Sequence, residues 1–298
     1  MMKAVFLTIS ILLIVLTNYG QVPRGYKTEL AKWRTDHEAE LKKDDGWLTV
    51  VGLFWLKPGK NTIGSGERYD IELTDSFKGG RFGEIEFRDG KAVLSVADGV
   101  VASGDGKGVT TLDLMPDATG KSPTIRAGSQ TFFLIKRGER YGIRLRDSNS
   151  VARRSFTHLS WYTPDPEFRI EGKFEKYDTP KDLLVPNVLG GEFTMRSPGV
   201  VKFSIKGKAF RLETVDEGEG KLFIIFRDLT SRSTTYGAGR FLYADWPVGD
   251  KVVLDFNKAE NPPCSFTAFA TCPLPRPQNR LQIEITAGEK RYDHAAEK

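Results

Sequence analysis

Apolar and polar residues alternate along many short stretches of this chain. Three examples are residues 69–73, 83–87 and 92–96, in which apolar side chains occupy alternate positions. This alternation is typical of a β-strand with one buried face. Asp89-Gly90, between the last two stretches, favours a tight hairpin turn. Because such stretches recur about every ten residues, the pattern predicts a β-sandwich or barrel.

Further strands are predicted in two groups, separated by a Pro-containing stretch at residues 156–166. The first group lies at residues 47–51, 53–56, 131–136 and 141–145. The second group lies at residues 168–174, 192–195, 200–205, 208–215, 221–227, 239–243, 251–256 and 282–285. We therefore predict a first β unit at residues 47–155, a second β unit at 156–290 and a charged tail at 291–298.

A helix is predicted ahead of the strands, within residues 21–46. Its apolar side chains are spaced by three and four residues, namely Leu30, Trp33, His37 and Leu41. That spacing places them on one stripe of an otherwise charged helix. His37 is expected to pack at the edge of the stripe. The predicted fold class is therefore mainly β, with an N-terminal helix, a β-sandwich unit and a second antiparallel sandwich or barrel-like unit.

The first residues of the chain indicate export. Lys3 precedes an apolar run at residues 4–16, which is shorter than the ~20 residues that a membrane span needs. We interpret residues 1–20 as a signal peptide that is cleaved after Gly20, which makes the protein periplasmic or secreted. The alternative is that residues 4–16 remain as a membrane anchor.

Charge and composition exclude several classes of function. The formal net charge is +5, but basic residues are interleaved with acidic ones, so no nucleic-acid partner is expected. The chain has 3 His and 2 Cys, too few for the usual zinc sites. No nucleotide-binding, serine-hydrolase or zinc-protease motif occurs. We therefore predict no metal and no cofactor.

The stretch at residues 56–64, followed by residues 70–73, resembles the opening of a forkhead-associated (FHA) domain. The resemblance implies an FHA-like sandwich for the first β unit. Domains of that family bind phosphothreonine peptides through Arg and Ser residues in loops. This chain has Ser65 where the family prefers Arg, and no matching His-Ser pair follows. The resemblance therefore implies the topology without phosphopeptide binding.

Residues 261–281 form a segment that is rich in Pro and contains both cysteines. Its prolines fix the backbone and remove hydrogen-bond donors, so the segment is predicted to be rigid and irregular. Cys264 and Cys272 are a disulfide candidate, and the alternative is two thiols with Cys264 as a nucleophile. The segment either contributes to a site or acts as a structural cover that packs Phe266 and Phe269.

Polar residues near this segment are the candidate site of the second unit. Ligand-binding candidates are Arg227, Arg240, Asn257, Asn261 and Arg280. Catalytic candidates are Asp228, Tyr236, Asp255 and Cys264, with Glu260 as a further acid or base. The set favours binding of a small anionic or hydroxylated ligand. The alternatives are a hydrolase or lyase that acts on envelope or imported carbohydrate, and a structural envelope protein, so enzymatic activity stays open.

Three motifs together resemble the bacterial and archaeal family DUF1684. They are Asn-Pro-Pro-Cys at residues 261–264 with Asn-Arg-Leu at 279–281, Tyr-Gly-Ile-Arg-Leu-Arg-Asp at 141–147, and Phe-Arg-Asp-Leu-Thr at 226–230. The resemblance extends from about residue 47 to residue 290. It implies a shared β fold and brings no established activity.

Overall fold

The computed structural model describes residues 23–293 of the chain. The predicted signal peptide and the end of the charged tail, residues 294–298, lie outside the described residues. Between residues 23 and 293, no helix has both the length and the apolar character needed to cross a membrane. The structure is mainly β with an N-terminal helix, so the predicted fold class is confirmed.

Two α-helices frame the first β unit along the chain, α1 (Tyr26–Leu41) and α2 (Val151–Ser155). Helix α1 is shorter than the predicted range, and it buries Tyr26, Leu30 and Leu41. The Tyr26 hydroxyl donates to the carboxylate of Asp255 at 2.8 Å, which ties the helix to the second unit. The chain then turns at Gly46, where a Cβ would lie 2.3 Å from the Leu41 carbonyl oxygen. Only glycine fits this turn.

The first unit is a sandwich of two sheets. Its strands are β1 (Val50–Trp55), β2 (Gly59–Ser65), β3 (Ile71–Leu73), β4 (Arg81–Arg88), β5 (Lys91–Val96), β6 (Ser103–Gly104), β7 (Lys107–Gly108), β8 (Thr111–Leu114), β9 (Ile125–Ala127), β10 (Gln130–Arg137) and β11 (Arg140–Asp147). One sheet has the order β3-β2-β4-β5-β8, and the other β1-β11-β10-β9-β6-β7. Apolar side chains from both sheets form one core.

Local sequence explains much of this unit. Strands β4 and β5 pair up to Arg88 and Lys91, and the turn residues Asp89 and Gly90 have φ of 49° and 74°. Positive φ at both central residues is the geometry that suits the twist of a hairpin. The prediction of two separate strands at residues 47–56 was wrong. Residues Trp47–Thr49 form a 3₁₀ turn, and a single strand, β1, follows.

The second unit is antiparallel throughout. Its strands are β12 (Arg169–Pro186), β13 (Glu192–Ile205), β14 (Lys208–Glu213), β15 (Val215–Asp216), β16 (Lys221–Phe226), β17 (Arg240–Asp245) and β18 (Lys251–Asp255). One sheet has the order β14-β13-β12-β18, and a smaller one β15-β16-β17. The predicted strands at residues 192–195 and 200–205 join into the single long strand β13.

Strand β16 buries both of its faces, which explains its unbroken apolar sequence. Leu222, Ile224 and Phe226 belong to the main core of the unit. Phe223 and Ile225 belong to a second apolar cluster that includes residues of the 261–281 segment. The segment therefore covers the face of the small sheet that would otherwise be exposed.

The strand predicted at residues 282–285 does not form. The backbone there is bonded by side chains instead of by a neighbouring strand. Ile285 donates its N–H to Asp228 at 2.6 Å, and its carbonyl oxygen accepts from Arg240 at 3.0 Å. The apolar alternation at residues 282–285 reflects packing against the core of the second unit and not strand pairing.

Candidate functional site

A cavity of about 580 Å³ lies between the two β units, and we call it the inter-unit cavity. Helix α1, the first unit, the second unit and the 261–281 segment all contribute to its wall. Its aromatic lining consists of Trp47, Phe133, Phe193, Phe223, Phe241, Tyr243 and Phe266. Its polar and charged lining includes His37, Asp117, Arg137, Arg144, Arg146, Glu217, Glu219, Glu260, Asn261 and Thr271. A concave wall on which aromatic side chains and convergent polar groups meet is typical of a ligand site.

Strand β11 supplies two arginines to this cavity by simple alternation. Ile143 and Leu145 point into the core of the first unit. Arg144 and Arg146 therefore lie on the opposite face, which the second unit covers. Phe133 of β10 pairs with Arg144 across the ladder and lines the same cavity. The face of β11 that carries these arginines is thus covered by the second unit, although its sequence is polar.

Arg144 is a buried cation without a carboxylate partner. It is only 3% exposed, and no ion pair joins it to any residue that the structure describes. Its Nη2 lies 3.4 Å from Thr271 Oγ1 and 3.5 Å from the Phe269 carbonyl oxygen, and its Nε has no partner. Burial, together with repulsion from Arg137, lowers the pKa of Arg144 to about 10.

The neighbouring arginines differ from each other in their partners. Arg137 pairs with Asp117 at 2.8 Å and donates to Thr271 at 2.9 Å, so its charge is balanced. Arg146 lies over the Phe133 ring at 4.9 Å, and its Nε is buried without a partner among residues 23–293. Burial lowers the pKa of Arg146. Arg144 and Arg146 together form what we call the arginine end of the cavity.

Another part of the cavity wall holds a histidine between two carboxylates. His37 Nδ1 lies 3.5 Å from Glu260, and its Nε2 lies 3.6 Å from Glu289, too far for a good hydrogen bond. Burial alone would lower the pKa of His37, but Glu289 and Glu260 outweigh it and raise the pKa. Burial, together with Glu289, raises the pKa of Glu260 to about 7 in spite of His37. His37 also stacks on Trp33, as its predicted packing role requires.

Asn261 is the one predicted ligand-binding residue that lines the inter-unit cavity. Its backbone N–H and its Nδ2 donate to the Glu289 carboxylate at 2.9 and 2.5 Å, and Nδ2 also donates to the Lys290 carbonyl oxygen. These bonds anchor the start of the 261–281 segment. At its other end, Asn279 bonds the backbone of Glu213 and Ile225.

Two of the predicted residues form a pair in the core instead. Arg240 is 0% exposed and donates to Asp228 at 3.3 Å and to the carbonyl oxygens of Ile285, Ala287 and Glu289. Thr230 and the Ile285 N–H complete the bonding of Asp228. These contacts fasten the C-terminal stretch of the chain. They leave neither side chain open to a ligand or a substrate, contrary to our expectation from sequence.

The other predicted residues are dispersed. Asp255 and Asn257 bond each other, and they hold Tyr26 and the backbone of Asp165. Both are buried, so they join helix α1 and residue 165 to β18 and not to a cavity. Tyr236 donates to the Cys264 carbonyl oxygen at 2.9 Å.

Arg227 and Arg280 lie beside each other through a backbone bridge, away from the inter-unit cavity. Arg280 borders a second cleft of about 600 Å³, with Lys202, Arg211 and Gln282. That cleft is the more open of the two, and these four side chains are exposed. Size alone would favour it slightly, but water already solvates its charges, so it gives no reason to expect a ligand.

Both cysteines are free thiols in the structure, so the predicted disulfide is not formed there. The Cys264 N–H donates to Cys272 Sγ at 3.2 Å. A hydrogen bond between the two side chains lowers the pKa of Cys264 and, together with burial, raises that of Cys272. Cys272 lines the inter-unit cavity, whereas Cys264 lines a separate groove with Phe266 and Phe269. In residues 23–293 no group of three or more His, Cys, Asp or Glu is placed to hold a metal.

The arginine end was not predicted from the sequence. Arg144 and Arg146 stand in a motif from which we predicted a strand and a family resemblance, but no site. The sequence feature that could have indicated them is a pair of arginines at alternate positions of one predicted strand. The neighbouring predicted strand, Thr131 to Lys136, contains aromatic residues. Nothing local indicates that this face is covered.

Comparisons with known proteins assign no activity to the chain. Residues 154–290 match the family model described as a protein of unknown function, DUF1684, which confirms the resemblance over that range. The solution NMR structure of the uncharacterized protein from gene locus rrnAC0354 of Haloarcula marismortui is 29% identical. The match covers 46% of this chain and 78% of that one, with a TM-score of 0.40.

A second solved structure comes from a structural and functional analysis of phosphothreonine-dependent FHA domain interactions. It is 20% identical, and the match covers 32% of this chain and 92% of that one, with a TM-score of 0.22. No curated protein matches the chain.

Proposed function

We propose that the protein, whose residues 154–290 match a family of unknown function, binds a small organic anion in the inter-unit cavity. The observation that carries this proposal is Arg144, a nearly fully buried cation on the cavity wall without a carboxylate partner. The sequence had favoured a ligand in the second unit. The cavity belongs to both units and takes its positive charge from the first.

The argument rests on the cost of a buried charge. Moving an ionised group out of water costs several kcal/mol unless a partner compensates for the lost solvation. Arg144 has two long contacts to neutral oxygens and a free Nε. A carboxylate or phosphate provides the missing charge and can accept two parallel N–H bonds from a guanidinium.

The body of the ligand follows from the remaining wall. Trp47 and Phe133 flank the guanidinium groups of Arg144 and Arg146 at 5.3 and 4.9 Å. Elsewhere on the cavity wall, Phe223 stacks on Tyr243 at 5.0 Å and meets Phe241 edge-on at 4.8 Å. Such a wall favours an aromatic or apolar body that carries the anionic group.

Calorimetric titration with benzoate, phenyl phosphate and neutral benzamide tests the proposal. Benzoate or phenyl phosphate is expected to bind, and benzamide is not. The Arg144→Met variant should lose about 30-fold or more in affinity, because removing one member of a buried charge pair costs about 2–5 kcal/mol. Arg126→Met changes an exposed arginine of the same unit and serves as the matched control. Equal anion affinity in wild type and Arg144→Met contradicts the proposal.

A hydrolase or lyase is the second candidate, and one observation supports it. Glu260 lines the cavity with a pKa raised to about 7, which suits a general acid or base near neutral pH. Asp228 and Asp255, the other acids considered, are bonded in the core. Turnover of aryl glycosides bearing a carboxylate, lost in Glu260→Gln, is the expected result, and no turnover by the wild type contradicts this candidate.

We also propose that the protein acts outside the cytoplasm, on the basis of the apolar run at residues 4–16 after Lys3. N-terminal sequencing of protein expressed with its full chain checks this. A mature protein that begins at Gln21 is expected. A full-length chain recovered from membranes supports the anchor alternative, and a full-length chain in the cytoplasm contradicts export.

A further inference from the structure

The cavity wall contains a residue with a buried acceptor that has no donor among the described residues. Asn261 is 3% exposed, and both hydrogens of its Nδ2 are directed to Glu289 and the Lys290 carbonyl oxygen. These bonds fix the orientation of the amide, because both partners are acceptors. Asn261 Oδ1 is buried, and it accepts no hydrogen bond from the residues that the structure describes. A buried acceptor left without a donor costs about 1–3 kcal/mol, so this oxygen indicates a missing donor.

Glu260, which precedes Asn261 in the chain, also lacks a full counter-charge. Its side chain is 18% exposed, and its nearest cation is His37, which it shares with Glu289. One imidazolium cannot neutralise two carboxylates. The incomplete balance agrees with the raised pKa of Glu260. We call Glu260 and Asn261 the acceptor end of the cavity.

The surroundings of the acceptor end suit a cation. Glu217 and Glu219 line the same cavity and lie at its exposed edge. Burial, together with Glu219, raises the pKa of Glu217 to about 7, so a bound cation favours the negative form of this carboxyl. Burial, together with the nearby charges of Glu260, Glu217 and Glu219, raises the pKa of the Tyr243 hydroxyl. Aromatic faces such as that of Tyr243 attract cations.

Both ends belong to one continuous space. Arg144 contacts Thr271, and the next residue, Cys272, belongs to the apolar cluster that contains Phe241. The backbone of Phe241 exchanges two hydrogen bonds of 2.9 Å with that of Glu260. Arg144, Arg146, Glu260 and Asn261 all line this one cavity.

We propose that the ligand is a small zwitterion with its two charges separated by an aromatic or apolar body. Its anionic group lies against Arg144 and Arg146, and its ammonium group lies against the Glu260 carboxylate, beside Asn261. This inference rests on the proposed function, because it assumes that the arginine end binds an anion. It adds the second charge of the ligand and its position.

Binding of an ammonium group has a consequence for protons. The charged groups that act on Glu260 are His37 of α1, Lys221 of β16 and Glu289, with Tyr243 of β17 beside it. Near pH 7 the unliganded Glu260 carboxyl is partly protonated. A cation at Asn261 lowers its pKa, so a zwitterion releases protons on binding and a simple anion does not.

Three probes with one aromatic body separate the two claims: 4-(aminomethyl)benzoate, 4-methylbenzoate and 4-methylbenzylamine. Calorimetry at pH 7 in two buffers of different ionisation enthalpy gives both affinity and proton release. The zwitterion is expected to bind at least about tenfold more tightly than 4-methylbenzoate, with proton release. Glu260→Gln should reduce the proton release, of which His37 and Glu217 supply the rest, and should remove most of the advantage. Glu284→Gln, at an exposed position outside the cavity, is the control and should change neither.

Each other outcome overturns a defined claim. If 4-methylbenzoate binds and the zwitterion binds no better, the zwitterion is wrong and the anion site stands. If none of the probes binds, both proposals are wrong. If the amine alone binds as tightly as the zwitterion and Arg144→Met has no effect, the arginine end has no ligand role, and both proposals are again wrong.

Discussion

Arg144 and Arg240 are both buried arginines on strands, and their surroundings differ. Arg240 faces Asp228 and three carbonyl oxygens, with only its Nε lacking a partner. Arg144 has two long contacts to neutral oxygens and no carboxylate, and it lines a cavity. The core thus satisfies one guanidinium, whereas the other remains available to a partner from solution.

The comparison shows why residue type alone misled the sequence prediction. We expected a ligand at Arg240, which closes the C-terminal stretch against Asp228, and we overlooked Arg144. Burial of an arginine is structural when the protein supplies its anion, and it indicates a ligand when the protein does not. The same distinction separates Asp228, which is paired, from Glu260, which shares its cation.

The largest expected effect is on the Arg240 side of the comparison. Arg240→Met should lower the free energy of unfolding by about 3–5 kcal/mol, because it leaves Asp228 buried without a cation. Urea unfolding followed by circular dichroism measures the loss. Arg211→Met, at an exposed position of the second unit, is the control and should stay within about 0.5 kcal/mol of wild type. A loss below about 1 kcal/mol for Arg240→Met means that the pair does not hold the C-terminal stretch.

Next in size is the pH dependence contributed by Glu260. Its pKa is raised from 4.5 to about 7, so the folded state holds a proton that the unfolded state releases in this range. The free energy of unfolding therefore falls as pH rises from about 4.5 to 7, by roughly 2–3 kcal/mol from this group. The raised pKa of His37 extends the fall to higher pH.

Unfolding midpoints measured from pH 4.5 to 7.5 check this, with Glu260→Gln as the variant that should flatten the curve. Glu284→Gln is again the matched control. A wild-type curve that rises over this interval, or an unchanged slope in Glu260→Gln, contradicts the environment we describe for Glu260.

A smaller effect is expected on the Arg144 side. Arg144→Met should raise the free energy of unfolding of the ligand-free protein by about 1 kcal/mol, because it removes a buried charge that lacks its anion. Arg126→Met should be neutral. A loss of 3 kcal/mol or more in Arg144→Met, similar to that in Arg240→Met, would show that the two arginines have the same structural role.

The smallest expected effect concerns Arg146, which is half-buried and stacks on Phe133. Arg146→Met should change stability by less than about 0.5 kcal/mol, because solvent still screens this charge. The Arg146→Met variant should lose less affinity for benzoate than the Arg144→Met variant loses. A larger loss for Arg146 than for Arg144 would move the main anion contact to Arg146.

Local patterns predicted the features that depend on neighbours along the chain. The stripe of helix α1, the Asp89-Gly90 hairpin and the apolar run of β16 all follow from spacing and turn chemistry. Features that depend on distant partners were not predictable. The alternation at residues 282–285 looks like a strand, yet side chains of Asp228 and Arg240 bond its backbone. Likewise, nothing near Arg144 in the sequence indicates that the second unit covers it.

Crystals soaked with 4-iodobenzoate provide the most direct test of the central claim, because the anomalous signal of iodine locates the ligand without a model of it. The account predicts an iodine peak inside the inter-unit cavity, with the carboxylate within hydrogen-bond distance of Arg144 Nε or Nη2. A bound ligand only in the exposed cleft at Lys202 and Arg280, or an empty cavity at saturating ligand, would contradict it.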